Sequence, residues 1–217
     1  MTRFFCSWSG GKDSALSFYK MLQQHHDPAF LLTMFEESEQ RSRSHAMPME
    51  VIQAQADAVG VPLIIKGASW GTYEAKFLEA LEEMKSDEVY DGVFGDIDLE
   101  DHLKWVQDTC AKKSVTAHHP LWKLERRDVL NQLLEHGFEC MIIAVQDSKL
   151  PDTFLGQTLS EDVIQQLESF GVDACGEEGE FHTVVVDGPM FSQRLSLVVN
   201  GIHRESGYSF AKVELVR

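Results

Sequence analysis

Over the first two thirds of the chain, apolar runs of strand length alternate with segments that are apolar at helical spacing. That alternation leaves few folds open. Residues 3–8 form a short aromatic-rich run, Ser9-Gly10-Gly11 breaks it, and Ala15, Leu16, Tyr19 and Met21 or Leu22 then recur at helical spacing. Strands are expected at 30–35, 61–65, 92–95 and 114–117, helices at 49–59, 73–84, 99–112 and 127–134, and a polar loop at 36–44. Strands joined by helices of this length need right-handed crossovers and make a parallel sheet covered on both faces. After the apolar run 140–145 the pattern changes to one helix, 161–170, and strands at 183–186, 195–199 and 210–216. The expected fold class is therefore α/β: a doubly wound parallel sheet over residues 1–146, then a smaller α+β carboxy-terminal domain over 147–217.

Composition narrows the function classes. The 217 residues, 43% hydrophobic and 25% charged, are those of a globular chain. Nineteen Lys and Arg against thirty-five Asp and Glu give a formal charge of −16, which repels phosphate backbones. No nucleic acid partner is expected; Arg41, Arg43 and Glu125-Arg126-Arg127 are the densest basic spots. No apolar run approaches the ~18 residues of a membrane span. The start, Met1-Thr2-Arg3-Phe4-Phe5-Cys6, reaches polar residues too soon for a secretory signal. Cys6, Cys110, Cys140 and Cys175 contain no C-x-x-C pair, which argues against a zinc site or a dithiol centre. A reduced, cytoplasmic setting is expected.

Ser9-Gly10-Gly11-Lys12-Asp13-Ser14 lies where the first strand turns into the first helix. At such a junction backbone N–H groups lack partners and the helix dipole favours an anion. Gly10 and Gly11 let a phosphate approach and permit positive φ; Ser9 and Ser14 add hydroxyls, and Lys12 a positive charge. Asp13 reads as a Mg²⁺ ligand or as a structural cap on the loop. The Walker spacing G-x-x-x-x-G-K-[ST] is absent. An ordinary capped turn is the plainer alternative.

A second cluster, Cys175-Gly176-Glu177-Glu178-Gly179-Glu180-Phe181-His182-Thr183, precedes the carboxy-terminal strands. If extended from Glu178, it puts Glu178, Glu180 and His182 on one face. Crowded carboxylates raise one another's pKa or take up a cation, and a neighbouring His moves protons near neutrality. A solvated acidic loop has the same composition. Gly95-Asp96-Ile97-Asp98 closes the fourth strand, where Asp96 suits Mg²⁺ or an acceptor, or simply caps a helix. His118-His119-Pro120-Leu121-Trp122 is a candidate lining for an acceptor pocket.

The first loop resembles the pyrophosphate loop of the N-type ATP pyrophosphatases, of the adenine nucleotide alpha-hydrolase-like fold. That resemblance implies Mg-ATP cleaved between its α- and β-phosphates at the carboxyl ends of the strands. The second cluster, with Asp187-Gly188-Pro189-Met190-Phe191, His45, Gly95-Asp96-Ile97, Pro120-Leu121-Trp122 and Leu155-Gly156, resembles the diphthine–ammonia ligase family over nearly the whole chain. Glu178 departs from the Gly or Asn commonest there and adds a negative charge, which leaves the acceptor's identity open.

The resemblance implies an ATP-dependent amide ligase that adenylates a carboxylate and transfers free ammonium nitrogen to it, leaving AMP and pyrophosphate. The acceptor would be diphthine on elongation factor 2 in an archaeal or eukaryotic source, or a small metabolite carboxylate in a bacterial one. Lys12, Asp96, Glu177, Glu180, His182 and Thr183 are the expected catalytic set. Ser9, Gly10, Gly11, Lys12, Asp13, Ser14, His45 and Gly95 are the expected ATP-binding set, with Asp13 toward Mg²⁺. A homodimer is the expected assembly. The rival readings are a tRNA-thiolating enzyme of the same fold, which needs a cysteine pair and a basic surface, and a non-catalytic adenine-nucleotide sensor.

Overall fold

The computed structural model describes residues 1–37, 41, 42 and 45–216; Arg43 and part of the loop expected at 36–44 lie outside the described residues. Strands β1 (Arg3–Ser7), β2 (Asp27–Phe35), β3 (Leu63–Gly67), β4 (Asp91–Val93) and β5 (Thr116–His118) form one sheet in the order β3-β2-β1-β4-β5. Every pairing in it is parallel. Side-chain alternation explains why helices cover both faces. Phe4 and Cys6 of β1, with Leu31 and Phe35 of β2, face the core beneath α1 (Lys12–Gln23) and α2 (Met49–Val59). Phe5, Leu32 and Met34 point the other way, toward α3 (Tyr73–Lys85) and α4 (Glu100–Ala111). The doubly wound sheet expected from the alternation is the one observed.

The chain builds outward from β1 to β3, then returns to the other side of β1 to place β4 and β5. The strand order thus reverses between β1 and β4, and the crevice at their carboxyl ends is the general ligand position in such sheets.

After α5 (Arg126–Glu135) the chain makes a second, antiparallel sheet from β6 (Glu139–Gln146), β7 (Phe181–Asp187), β8 (Leu197–Glu205) and β9 (Tyr208–Leu215), ordered β7-β6-β9-β8. The division at 146/147 had counted the run 140–145 with the first sheet. Its hydrogen bonds put it inside the second, between β7 and β9. Cys140 through Val145 are buried on both faces, so their sequence reads like a parallel strand although the pairing is antiparallel. The strand expected at 195–199 is β8, which starts at Leu197 and runs on to Glu205 with a register shift between Val199 and Ile202. The α-helix of this half among the described residues, α6 (Glu161–Ser169), starts at Ser160, whose hydroxyl accepts from the Val163 N–H at 3.3 Å. A single apolar cluster runs from α1 and α2 through Ile142 and Val184, so the two sheets share a core.

Candidate active site

Between β1 and α1 the chain turns through Trp8, Ser9, Gly10 and Gly11. Gly10 sits at φ +81°, and a Cβ there would stand 2.6 Å from Gln55 Oε1. Gly11 precedes α1 without a side-chain cap, so the first-turn amides need partners from outside the helix. The serines brace the turn: Ser14 Oγ donates to the Gly11 carbonyl at 3.0 Å, and the Gly11 N–H donates to Ser9 Oγ at 3.3 Å.

Three other elements hold this loop. Gln55 of α2, fully buried, accepts from the Trp8 indole at 2.9 Å and donates to the carbonyls of Gly10 at 2.9 Å and Val185 at 2.8 Å. Strand β7 donates from the Val185 N–H to the Gly10 carbonyl at 2.9 Å, and Thr183 Oγ1 accepts from the Lys12 N–H at 3.2 Å. The loop after β4 packs so closely that a Cβ on Gly95 would lie 3.0 Å from the Ser14 nitrogen. Gln55 was not among the expected site residues; a lone Gln in an amphipathic helix carries no signal of its own.

These elements surround a cleft of about 820 Å³, a size suited to a small-molecule ligand. Ser9, Lys12, Asp13, Ser14, His45, Gly95, Asp96, Glu177, His182 and Thr183 all border it. Two motifs some 165 residues apart therefore meet: Lys12 Nζ lies 2.6 Å from Asp13 Oδ2 and 3.3 Å from Glu177 Oε1. Burial works against the Lys12 charge, but the carboxylates of Asp13 and Glu177 outweigh it and hold the ammonium well above its ordinary pKa. Burial, opposed by Lys12 and reinforced by Asp13, pushes the Glu177 carboxyl up to about 7.

His45 stacks on His182, with centroids 4.8 Å apart, and His182 stacks in turn on Tyr208 at 6.2 Å. The Thr183 carbonyl can only accept, so His45 Nδ1 donates to it at 2.9 Å. Burial is the main cause that lowers His45 to about 4 and His182 to about 3; Lys12 adds to both, and His45 lowers His182 further. Both rings are thus neutral at physiological pH.

Other expected residues sit differently. Glu178, Glu180 and His182 do not share a face, because Gly176 and Gly179 both take positive φ and turn the chain before β7 begins at Phe181. Glu178 points outward, 62% exposed. Glu180 is 1% exposed and accepts from the N–H groups of Glu178 at 3.1 Å and Asp173 at 3.3 Å, so it organises the turn and does not border the cleft. His118 pairs with Asp91 at 2.7 Å, away from the cleft, while His119 lies beneath Asp96, its Nδ1 3.2 Å from Asp96 Oδ2. The basic spot at 126–127 is neutralised: Arg126 binds Asp98 and Asp173, and Arg127 binds Glu161 and Glu168.

Asp13 offers a cation an oxygen. Its Oδ1 is buried without a hydrogen-bond partner, while Oδ2 is held by Lys12. Asp13, Cys175 and Glu177 bring their ligand atoms within 4.8 Å of one another. The oxygens suit a hard cation and the thiol does not.

A doubly wound sheet, with a helix-start loop and a buried lysine at its switch point, defines an α/β protein whose cleft lies where such sheets take their ligands. The chain belongs to the diphthamide synthase family: residues 2–117 match its N-terminal domain and residues 125–214 its C-terminal domain. It is 26% identical to the diphthine–ammonia ligase of Rattus norvegicus over 96% of this chain and 88% of that one. The proteins of that name from Homo sapiens (25% identity, 96% and 88% covered) and Danio rerio (26%, 96% and 91%) are similarly related. The family expected from the two motifs is the family found.

Proposed function

We propose that this chain is an ATP-dependent amide ligase that joins ammonia to a carboxylate and releases AMP and pyrophosphate. One observation carries the reading: Lys12, at the start of α1, touches both Glu177, in the turn before β7, and Thr183 of β7 at the border of one cleft. The loop would hold the β- and γ-phosphates. An acceptor carboxylate oxygen then attacks the α-phosphorus, the bond to the β-phosphate breaks, and pyrophosphate leaves against Lys12 and the helix start. Ammonia attacks the resulting acyl-adenylate carbonyl, AMP departs, and the proton lost by nitrogen passes to a base.

Glu177 suits that base, because a carboxyl titrating near 7 accepts a proton at working pH. Holding both reactants in one cleft supplies orientation. Asp13 Oδ1 would hold Mg²⁺, which when bound neutralises phosphate charge. The relatives' name supplies the acceptor class, diphthine; the family resemblance supports a position on elongation factor 2, with another carboxylate as the acceptor where the source makes no diphthamide.

The thiolation rival is disfavoured by burial of all four cysteines, which pushes every thiol pKa up, Cys110 and Cys140 to about 12. The test is incubation with ATP, ammonium chloride and diphthine-bearing elongation factor 2. AMP and pyrophosphate should form together with an acid-to-amide mass change in the factor. ADP with phosphate would overturn the reading, and nucleotide binding without turnover would favour the sensor.

A further inference from the structure

Glu177 meets Lys12 where the two sheets join, so its turn has to be held at that spot. The turn has little stiffness of its own, because Gly176 and Gly179 stand either side of Glu177 at φ +75° and +79°. Asp173 supplies the hold. Its Oδ1 accepts from the Cys175 N–H at 3.0 Å and its Oδ2 from the Glu177 N–H at 3.0 Å. The backbone of the turn is wrapped onto that one carboxylate.

The carboxylate is fixed in turn by Arg126, the first residue of α5. Arg126 Nη1 donates to Asp173 Oδ2 at 2.9 Å, while Nε and Nη2 donate to Asp98 Oδ2 at 2.8 Å and Oδ1 at 3.1 Å. Among the described residues Arg126 is the cation that pairs with Asp173. Asp98 belongs to the loop after β4, next to Ile97 and two residues beyond Asp96, both of which border the cleft. The same loop is pinned from a second side, since the Lys123 N–H donates to the Ile97 carbonyl at 2.7 Å. Direct contacts therefore run from the first sheet through Asp98, Arg126 and Asp173 to the backbone of Glu177. The adjacent Arg127 takes no part and pairs with Glu161 and Glu168 of α6.

From this geometry we infer that Arg126 is a positioning residue: its guanidinium bridges Asp98 and Asp173 and so sets the Glu177 carboxylate against Lys12. The planar fork suits the task, because it presents two parallel donors to one carboxylate and a third to another, a pattern that a compact ammonium does not match. An ion pair that only decorated the surface would add little and would not favour one particular side chain. Displacing a reacting group by about 1 Å can cost about a hundredfold in rate, so a rigid bridge matters here beyond its own ion-pair energy. The inference rests on the ligase reading only in taking Glu177 as the base.

The test is a double-mutant cycle on the full chain, with AMP formation from ATP, ammonium chloride and diphthine-bearing elongation factor 2 as the rate. Arg126→Ala should lower kcat by about tenfold to a hundredfold while KM for ATP stays within about twofold. Added to Glu177→Gln it should cause no further loss, because the group it positions is already gone. A cavity of about 440 Å³ lies against Asp98, Arg126 and Asp173, so guanidinium at concentrations too low to denature can replace the missing fork. Guanidinium should restore kcat in Arg126→Ala, and methylammonium should not. Arg127→Ala should leave kcat as it is. Arg126→Lys, which keeps stem and charge should the alanine variant fail to fold, should still lower kcat. Parental kcat in either Arg126 variant, a full further loss in the Glu177→Gln background, or equal rescue by methylammonium would each overturn the inference. Hydrogen exchange reads the same bridge without turnover: the Glu177 and Cys175 amides should exchange faster in the Arg126 variants than in the parent, and not in Arg127→Ala. A parent that forms no AMP defeats the ligase reading, and these two amides then decide alone whether Arg126 holds the turn; unchanged exchange overturns it.

Discussion

The hydroxyl of Thr183 accepts a hydrogen bond from the backbone N–H of Lys12 at 3.2 Å, across 171 residues of chain. The first amide of α1 is thereby tied to the opening of β7. A loop that could be a self-contained anion site is instead shared between the two sheets, so disturbing either one is expected to reach the ligand.

Thr183→Val keeps the side-chain shape but leaves the buried Lys12 N–H without its acceptor. A buried donor left unmade costs about 1–3 kcal/mol. The urea midpoint should fall accordingly, and KM for ATP should rise several-fold. Thr183→Ser should restore both. A valine variant indistinguishable from the parent in both measurements would show that the contact carries nothing.

Glu180 and Glu177 should separate by phenotype. Glu180→Ala removes the acceptor of two backbone N–H groups inside a turn and should cost about 2–4 kcal/mol of stability. Glu177→Gln should fold normally yet lose AMP formation by at least about a hundredfold, the scale of removing a general base. Thermal melts beside a product assay distinguish the two; equal melting points for both variants would contradict the assignment.

Glu177 also predicts a pH slope. Folded, its carboxyl keeps a proton to about pH 7, against 4.5 in its ordinary state. Between those values the folded chain binds more protons than the unfolded one, so stability falls as pH rises through the window. Glu177→Gln cannot titrate. Relative to the parent it should gain about 1–3 kcal/mol between pH 5 and pH 8, read from urea midpoints.

The stacked imidazoles give a slope of the opposite sign. His45 and His182 are lowered to about 4 and 3 from 6.5, so below 6.5 the unfolded chain takes up protons that the folded one refuses. Their contribution is complete above pH 6.5 and is lost as pH falls toward 3–4. His182→Phe, which keeps the stacking, should flatten the acid limb of the stability curve by about 1–3 kcal/mol. An unchanged acid limb would rule out the pair as its cause.

Much of this was legible along the chain. The helix at 49–59 appears with those bounds, and the parallel sheet follows from strand–helix alternation. The Ser9-Gly10-Gly11-Lys12-Asp13-Ser14 loop sits at the strand–helix junction where its residues require it to be. What could not be read were choices of partner. β6 is apolar on both faces, a property equally of central parallel and central antiparallel strands, so its sheet membership is not written in it. Glu180 and Glu177 differ by three positions and are chemically identical, yet two glycines at positive φ bury one as a brace for the turn and deliver the other to Lys12.

By itself the sequence determined element types, the doubly wound sheet and the position of the Ser9–Ser14 loop at the first strand–helix junction, because periodicity and turn chemistry act over a few neighbouring residues. Tertiary structure alone decided that Gln55 clamps the loop, that Thr183 closes it and that Glu177 shares Lys12 with Asp13. Those contacts join side chains far apart in the chain, and they are fixed by how two sheets bury one common core.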